Sequence, residues 1–412
     1  MSERAHFMCP NMHFSILVQM NEKYNMGKVC CSLDLLAAAH PFLRSVIACD
    51  TDKTRLYYAV SDQSQIEVCE MDSPSTIWND YGEIGKNDWN VFENGLLKVF
   101  LYPDEESFQM LFVAHHLLGD GRSLLSLTCE FANSYASGLN PTFVEEKLIQ
   151  RIDDLPPDSD LKGISKWMVR RANNQWKNEN HRVSFTEYAN FVRCFAYENP
   201  IANEIAVLDK TGVNHIRKLC KEHSISINDL LMAKLYRVAN TKKIIIAADI
   251  RSKLPCYQDG SMGNYASAIG IICKDKSDDV FKLAKKVHCQ VKLHLDKNRK
   301  SMLILACYLN MDPTLIDAAA IASMGNFDSK AAKFVGGKMF GYAKRDSISI
   351  TNLGNIECKA MQHAVFIPPA SPATVQTIGV LTVNGTMHLC SSYYTSAIDR
   401  DLVKRQLQMM IC

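Results

Sequence analysis

One run constrains this chain more than any other: His115-His116-Leu117-Leu118-Gly119-Asp120-Gly121, an H-H-x-x-x-D-G pattern. The residues before it, Phe108 to Ala114, are mostly apolar and predict a β-strand. The residues after it, Arg122 to Tyr135, repeat apolar positions at helical spacing. The pattern therefore sits where a strand hands over to a helix, so sheet and helix must share one layered core. Glycines at 119 and 121 let the loop turn sharply and let a bound molecule approach the backbone. A histidine held at such a strand end can take a proton from an alcohol or an amine near neutral pH. Acyl transfer is the first chemistry this suggests.

Strand geometry separates the two histidines. Successive side chains point to opposite faces, so His115 and His116 cannot share a cavity unless the strand has already ended. One is expected to work and the other to pack. Asp120 has three readings: it holds the histidine in one tautomer, braces the loop through a cation, or caps the following helix. A His-His pair alone reads as two packing histidines. Four fixed positions recur by chance in roughly one chain per thousand of this length, which favours the functional reading.

The rest of the chain sets the frame. At 412 residues it is expected to form two lobes of roughly 150–200 residues each. The boundaries read as 1–150 for an N-terminal lobe carrying the motif, 151–202 for a connector, and 203–412 for a C-terminal lobe. A formal charge of +2 calls for neither nucleic acid nor an anionic membrane. No apolar stretch approaches the ~18 residues of a membrane span and the start lacks a signal-peptide core, so a cytoplasmic protein is expected. The fifteen cysteines are scattered, with no C-x-x-C, and read as reduced thiols rather than metal ligands.

Strands are predicted over residues 12–20, 45–49, 56–60, 95–102, 107–116, 204–208, 243–250, 266–273, 347–351, 375–383 and 386–394. The 243–250 strand is nearly all apolar and is expected to be central and buried. Asn384-Gly385 is a two-residue hairpin turn. Helices are predicted over 29–39, 122–137, 210–222, 230–239 and 399–410, with another around Ala318 to Ala322. Residues 162–193 are polar and basic and read as a partly helical connector.

With these residues in place, the chain resembles the chloramphenicol-acetyltransferase-like superfamily, which includes condensation domains and alcohol acetyltransferases. Besides H-H-x-x-x-D-G, the resemblance covers HPFLRS at 40–45, SISINDLLMAKLYRVA at 224–239, IIIAADIRSKLP at 244–255, MGNYAS at 262–267 and SISITNLGNI at 347–356. It implies an α/β fold of two similar lobes, each a mixed sheet with helices, meeting in a V around a central tunnel. It implies that His116 is the general base while His115 packs. Asp120 would pair with Arg251 as a structural brace, and Gly121 would leave room for a donor arm. Asn352 would sit near the acceptor or the oxyanion, or else serve as a strand-end turn residue. Gly263 and Asn264 would shape a loop rather than do chemistry.

The implied activity is a stand-alone acyltransferase, using acyl-CoA or an acyl-phosphopantetheinyl carrier protein as donor. A small alcohol or amine would be the acceptor, with no metal, no resident cofactor and no covalent acyl-enzyme. The Thr351-Asn352-Leu353-Gly354 segment leans toward ester formation over a free-standing amide-forming enzyme. A D-F-G-W-G motif is absent, which disfavours the plant branch. A non-catalytic carrier-binding protein is a second class, but His116, Asp120, Gly121 and Arg251 are all in place. A hydrolase with a metal on His115 and His116 lacks a third ligand at suitable spacing.

Overall fold

The computed structural model describes residues 3–50, 55–86, 89–239, 241–273 and 277–412. Among these residues thirteen strands form two large sheets and one small one. In the first half they are β1 (His13–Met20), β2 (Ser45–Cys49), β3 (Leu56–Val60), β4 (Glu67–Glu70), β5 (Leu97–Pro103) and β6 (Phe108–His115). In the second half they are β7 (Ile201–Leu208), β8 (Lys243–Asp249), β9 (Ala266–Ile272), β10 (Ser347–Ile356), β11 (Met361–Ile367), β12 (Thr374–Val383) and β13 (Thr386–Tyr394). The first sheet has the order β11-β1-β6-β5-β4 and the second β7-β13-β12-β10-β8-β9, while β2 and β3 pair by themselves.

Local signals explain most of these elements. β5 and β6 form the longer-loop hairpin, pairing Leu97 with Ala114 through Pro103 with Phe108. β12 and β13 close on Asn384-Gly385, with Val383 opposite Thr386. Asp120 caps the helix Gly121–Ser137, and Ser226 caps Ile227–Val238 in a reciprocal box with Asp229. His40 ends the helix Met26–Ala39 just before Pro41.

Three expectations change. β8 is neither central nor buried on both faces: β9 lies outside it, and its burial alternates, with Ile244, Ile246 and Ala248 inward and Lys243, Ala247 and Asp249 exposed. Apolar side chains on an outer face made a one-sided strand look two-sided. The 162–193 stretch is more than a connector. It forms the helices Gly163–Glu179 and Phe185–Glu198, which bury Val169, Ala172 and Trp176, and Tyr188, Phe191 and Phe195, in the larger core. Third, β11 belongs by sequence to the second half but adds antiparallel to β1 in the first sheet, while also packing on β12 and β13. A division read along the chain does not carry this strand exchange. β11 and the short β4 carried no sequence signal strong enough to predict them.

A smaller core under the second sheet gathers the helices Lys210–Glu222, Ile227–Val238, Val280–Leu295 and Arg400–Ile411. No single helix among the described residues is long and apolar enough to cross a membrane.

Candidate active site at the joint between the sheets

β6 ends at His115, and His116 opens the turn that follows. The histidines therefore have different surroundings. His115 is buried, stands opposite His13 on β1, and meets the edge of Trp89 at 5.6 Å. Its Nδ1 accepts the Leu117 N–H at 3.2 Å. Burial, then His116 and His13, push it down to about 3, so it stays neutral. This is a packing histidine.

His116 is half-buried. Its backbone N–H donates to the Met12 carbonyl at 2.7 Å, just ahead of β1. Its Nδ1 lies 2.8 Å from Asn264 Oδ1, and Asn264 Nδ2 donates to the His116 carbonyl at 2.9 Å. These two contacts decide the tautomer. A carbonyl oxygen only accepts, so the Asn264 NH2 must face it. The Asn264 oxygen then faces Nδ1, which must carry the hydrogen. Nε2 is left with the lone pair. Burial holds His116 below the ordinary histidine range, against the opposing pull of Asp120 and of the Asn264 contact. At neutral pH the ring is therefore uncharged.

Asp120 joins the two halves of the chain. Its Oδ1 accepts the N–H groups of Arg122 and Ser123 at 3.0 Å each, capping the helix. The same oxygen takes Arg251 Nη2 at 2.7 Å, and Oδ2 takes the Tyr265 N–H at 2.9 Å. Capping and bracing, alternatives in the sequence, coexist on this one carboxylate. Arg251 also donates to Ser123 Oγ and Asp249, and its guanidinium lies 5.1 Å from the Tyr265 ring centre. Burial works against its charge, but Asp120 and then Asp249 outweigh that and hold it above its ordinary value.

Close approach explains the glycines. The Asp120 N–H and the Ser123 hydroxyl both donate to the Gly263 carbonyl, and a Cβ at Gly119 would stand 3.0 Å from Gly263 N. A Cβ at Gly121 would meet Leu353 Cδ2 and the Phe366 ring at 3.0 Å. Leu353 and Phe366 thus pack directly against Gly121, and that close approach is sufficient reason for a glycine there. Asn352 Oδ1 accepts the Gly354 N–H at 2.8 Å, a local turn contact.

Two contacts of His116 escaped sequence reading. The resemblance makes Asn264 a loop-shaping residue; only its place 148 residues away on the other side of the joint makes it the partner of His116. His6, in the 3-10 turn Glu3–His6, stacks on the His116 ring with centroids 4.0 Å apart and planes 4° from parallel. No motif could have found it. Beyond this turn, a cavity of about 340 Å³ is lined by Phe7, Met8, Leu56, Phe92, Val183 and Phe185, among others. Among the described residues no three His, Cys, Asp or Glu side chains are gathered as a metal site.

Solved structures share this architecture over nearly the whole chain. The first condensation domain of the calcium-dependent antibiotic synthetase, solved with a substrate analogue, matches 98% of this chain and 91% of its own at a TM-score of 0.66 and 9% identity. The chain has the condensation-domain fold. Polyketide synthase associated protein 5 from Mycobacterium tuberculosis matches 100% and 95%, at 0.62 and 12% identity. The epimerization domain from the third module of tyrocidine synthetase B matches 99% and 90%, at 0.59 and 13% identity. This is the two-lobed fold of chloramphenicol-acetyltransferase type that the motif context implied. No family model matches the sequence, and no curated protein matches it. The neighbours with this condensation-domain fold include an epimerization domain, so the fold by itself does not name a reaction.

Proposed function

We propose that the chain is an acyltransferase that moves an acyl group from a thioester to a hydroxyl, with His116 as general base. The observation that carries this reading is the Asn264 contact, which puts the hydrogen on His116 Nδ1 and the lone pair on Nε2. In the proposed step the acceptor oxygen attacks the thioester carbonyl while His116 Nε2 takes its proton. The tetrahedral intermediate then collapses, the carbon–sulfur bond breaks, and the thiolate recovers the proton from the imidazolium. One base serves both halves, and no acyl-enzyme forms. Holding donor and acceptor together supplies much of the rate.

The donor in this reading is acyl-CoA or an acylated carrier protein. Its support is the fold shared with condensation domains and with a polyketide-associated protein. An amine acceptor suits the same base. Asp120 and Arg251 act as the brace that holds the His116 turn against the second sheet, outside the proton transfer.

The test is product formation, read by mass spectrometry, from acyl-CoA and acyl-carrier donors with alcohol and amine panels. His116→Ala is expected to lower turnover about 10²–10⁴-fold with an unchanged far-UV spectrum. Turnover equal to the parent would remove His116 from the mechanism. Amide rather than ester as the main product would reassign the acceptor class.

A further inference from the structure

We propose that His6 is a positioning residue for His116: its imidazole lies flat on the base and holds that ring in one plane. The proposal rests on the reading of His116 as the base. Rotation of an imidazole about its last side-chain bond is loosely restrained, so a single hydrogen bond at Nδ1 leaves the ring free to rock. Here three side chains bear on the ring, beside the backbone contacts of His116 itself and Gly119. Asn264 holds Nδ1 at 2.8 Å, Phe14 stands tilted with its centre 4.9 Å away, and His6 covers a face at 4.0 Å. Together they fix both tautomer and plane, which is what places Nε2.

The turn that carries His6 is itself anchored. Arg4 forms a two-pronged buried pair with Asp317 on the helix Pro313–Met324, at 2.8 and 2.5 Å. Phe7 meets the edge of Phe92 at 5.7 Å and lies 6.1 Å from Phe185. His6 Nδ1 lies 3.5 Å from the Met12 sulfur, and the Met12 carbonyl takes the His116 N–H. A stack between two helically unrelated segments, pinned on both sides, is a built contact.

His6 acts as a neutral plate. Burial, then His116 and His115, hold it well below its ordinary value, so it puts no second charge beside the base. The titratable groups facing the pair are His115 from β6 and Asp120 from the loop, and Asp120 favours the His116 cation. Removing the plate would let water reach the covered face of His116 and relieve the burial that suppresses its charge.

The experiment is a ¹⁵N titration of the His116 ring in the full chain, with kcat and KM, for His6→Ala, His6→Phe and His6→Leu. His6→Ala should move the His116 titration up toward the ordinary histidine value and lower kcat about tenfold or more, with a smaller change in KM. His6→Phe, which restores a flat ring, should recover most of kcat, whereas His6→Leu should not. An unshifted His116 in His6→Ala overturns the proposal, as does equal recovery by Leu and Phe should the alanine variant not fold. The titration does not depend on turnover. An active His116→Ala enzyme would overturn the base assignment and the positioning role with it, whereas an unshifted titration with an inactive His116→Ala enzyme would overturn the positioning role alone.

Discussion

A histidine base works only when one ring nitrogen is bare, and in the proposed mechanism the Asn264 amide arranges this at His116. Replacing Asn264 therefore separates base strength from base orientation. Asn264→Ala should lower kcat about 10–100-fold, the usual cost of losing an orienting partner. Asn264→Asp should keep an acceptor on Nδ1 but add a negative charge that favours the imidazolium. His116 sits below the ordinary histidine range, so the parent rate should hold steady as pH falls below 6.5 before dropping. In Asn264→Asp that acid limb should move to higher pH, and an unmoved limb in the pH–rate profile would remove His116 from the titrating step. A second histidine carries a pH effect of stability rather than rate. His40 is buried with Nε2 2.9 Å from Glu130 and Nδ1 3.5 Å from Glu146. Burial opposes its charge, but the two glutamates overcome this and raise it to about 9. The folded value lies above the unfolded one, so the stabilisation is complete below about pH 6.5 and is lost as pH rises through 9. Urea midpoints should fall between pH 6.5 and 9.5, and His40→Phe should flatten that loss.

At the scale of elements, the joint between the sheets depends on the capped start of the helix Gly121–Ser137. Its first turn makes the cap on Asp120, the Arg251 pair, the Ser123–Gly263 bond and an Arg122–Asp249 contact at 2.6 Å. Asp120→Ala removes the cap and leaves Arg251 without its main counter-charge. The expected cost is about 3–5 kcal/mol, read as a lower urea midpoint, with activity falling alongside. Asp120→Asn keeps an oxygen for the two backbone N–H groups but loses the charge, so it should cost less than alanine. Equal loss in both variants would mean that the cap contributes little. The exposed Arg122–Asp249 contact should matter far less, because water and salt screen it.

For the molecule as a whole, the exchanged strand decides how the halves relate. β11 pairs residue by residue with β1 from Ser15 and Ile367 to Gln19 and His363, and buries Val365, Phe366 and Ile367. A fragment ending at 202 would leave β1 as an uncovered edge and its apolar face open, so it should aggregate rather than fold. The full chain should unfold in one transition, with tryptophan fluorescence and far-UV circular dichroism coincident; a soluble, cooperatively folding 1–202 fragment would contradict this. Sequence alone determined what depends on near neighbours in the chain: the strand–loop–helix around the motif, the Asn384-Gly385 hairpin and the Asp120 helix cap. The pairing of Asp120 with Arg251 was reachable only through resemblance, because nothing local links residues 131 apart. Tertiary structure alone decided the rest. Asn264 and His6 are an unremarkable amide and a near-terminal histidine until folding sets them against one imidazole. β11 is an ordinary short apolar run until β1 offers it an open edge. Periodicity and capping are read within a few residues, whereas the orientation of a base is set by whatever long-range packing places on its far side.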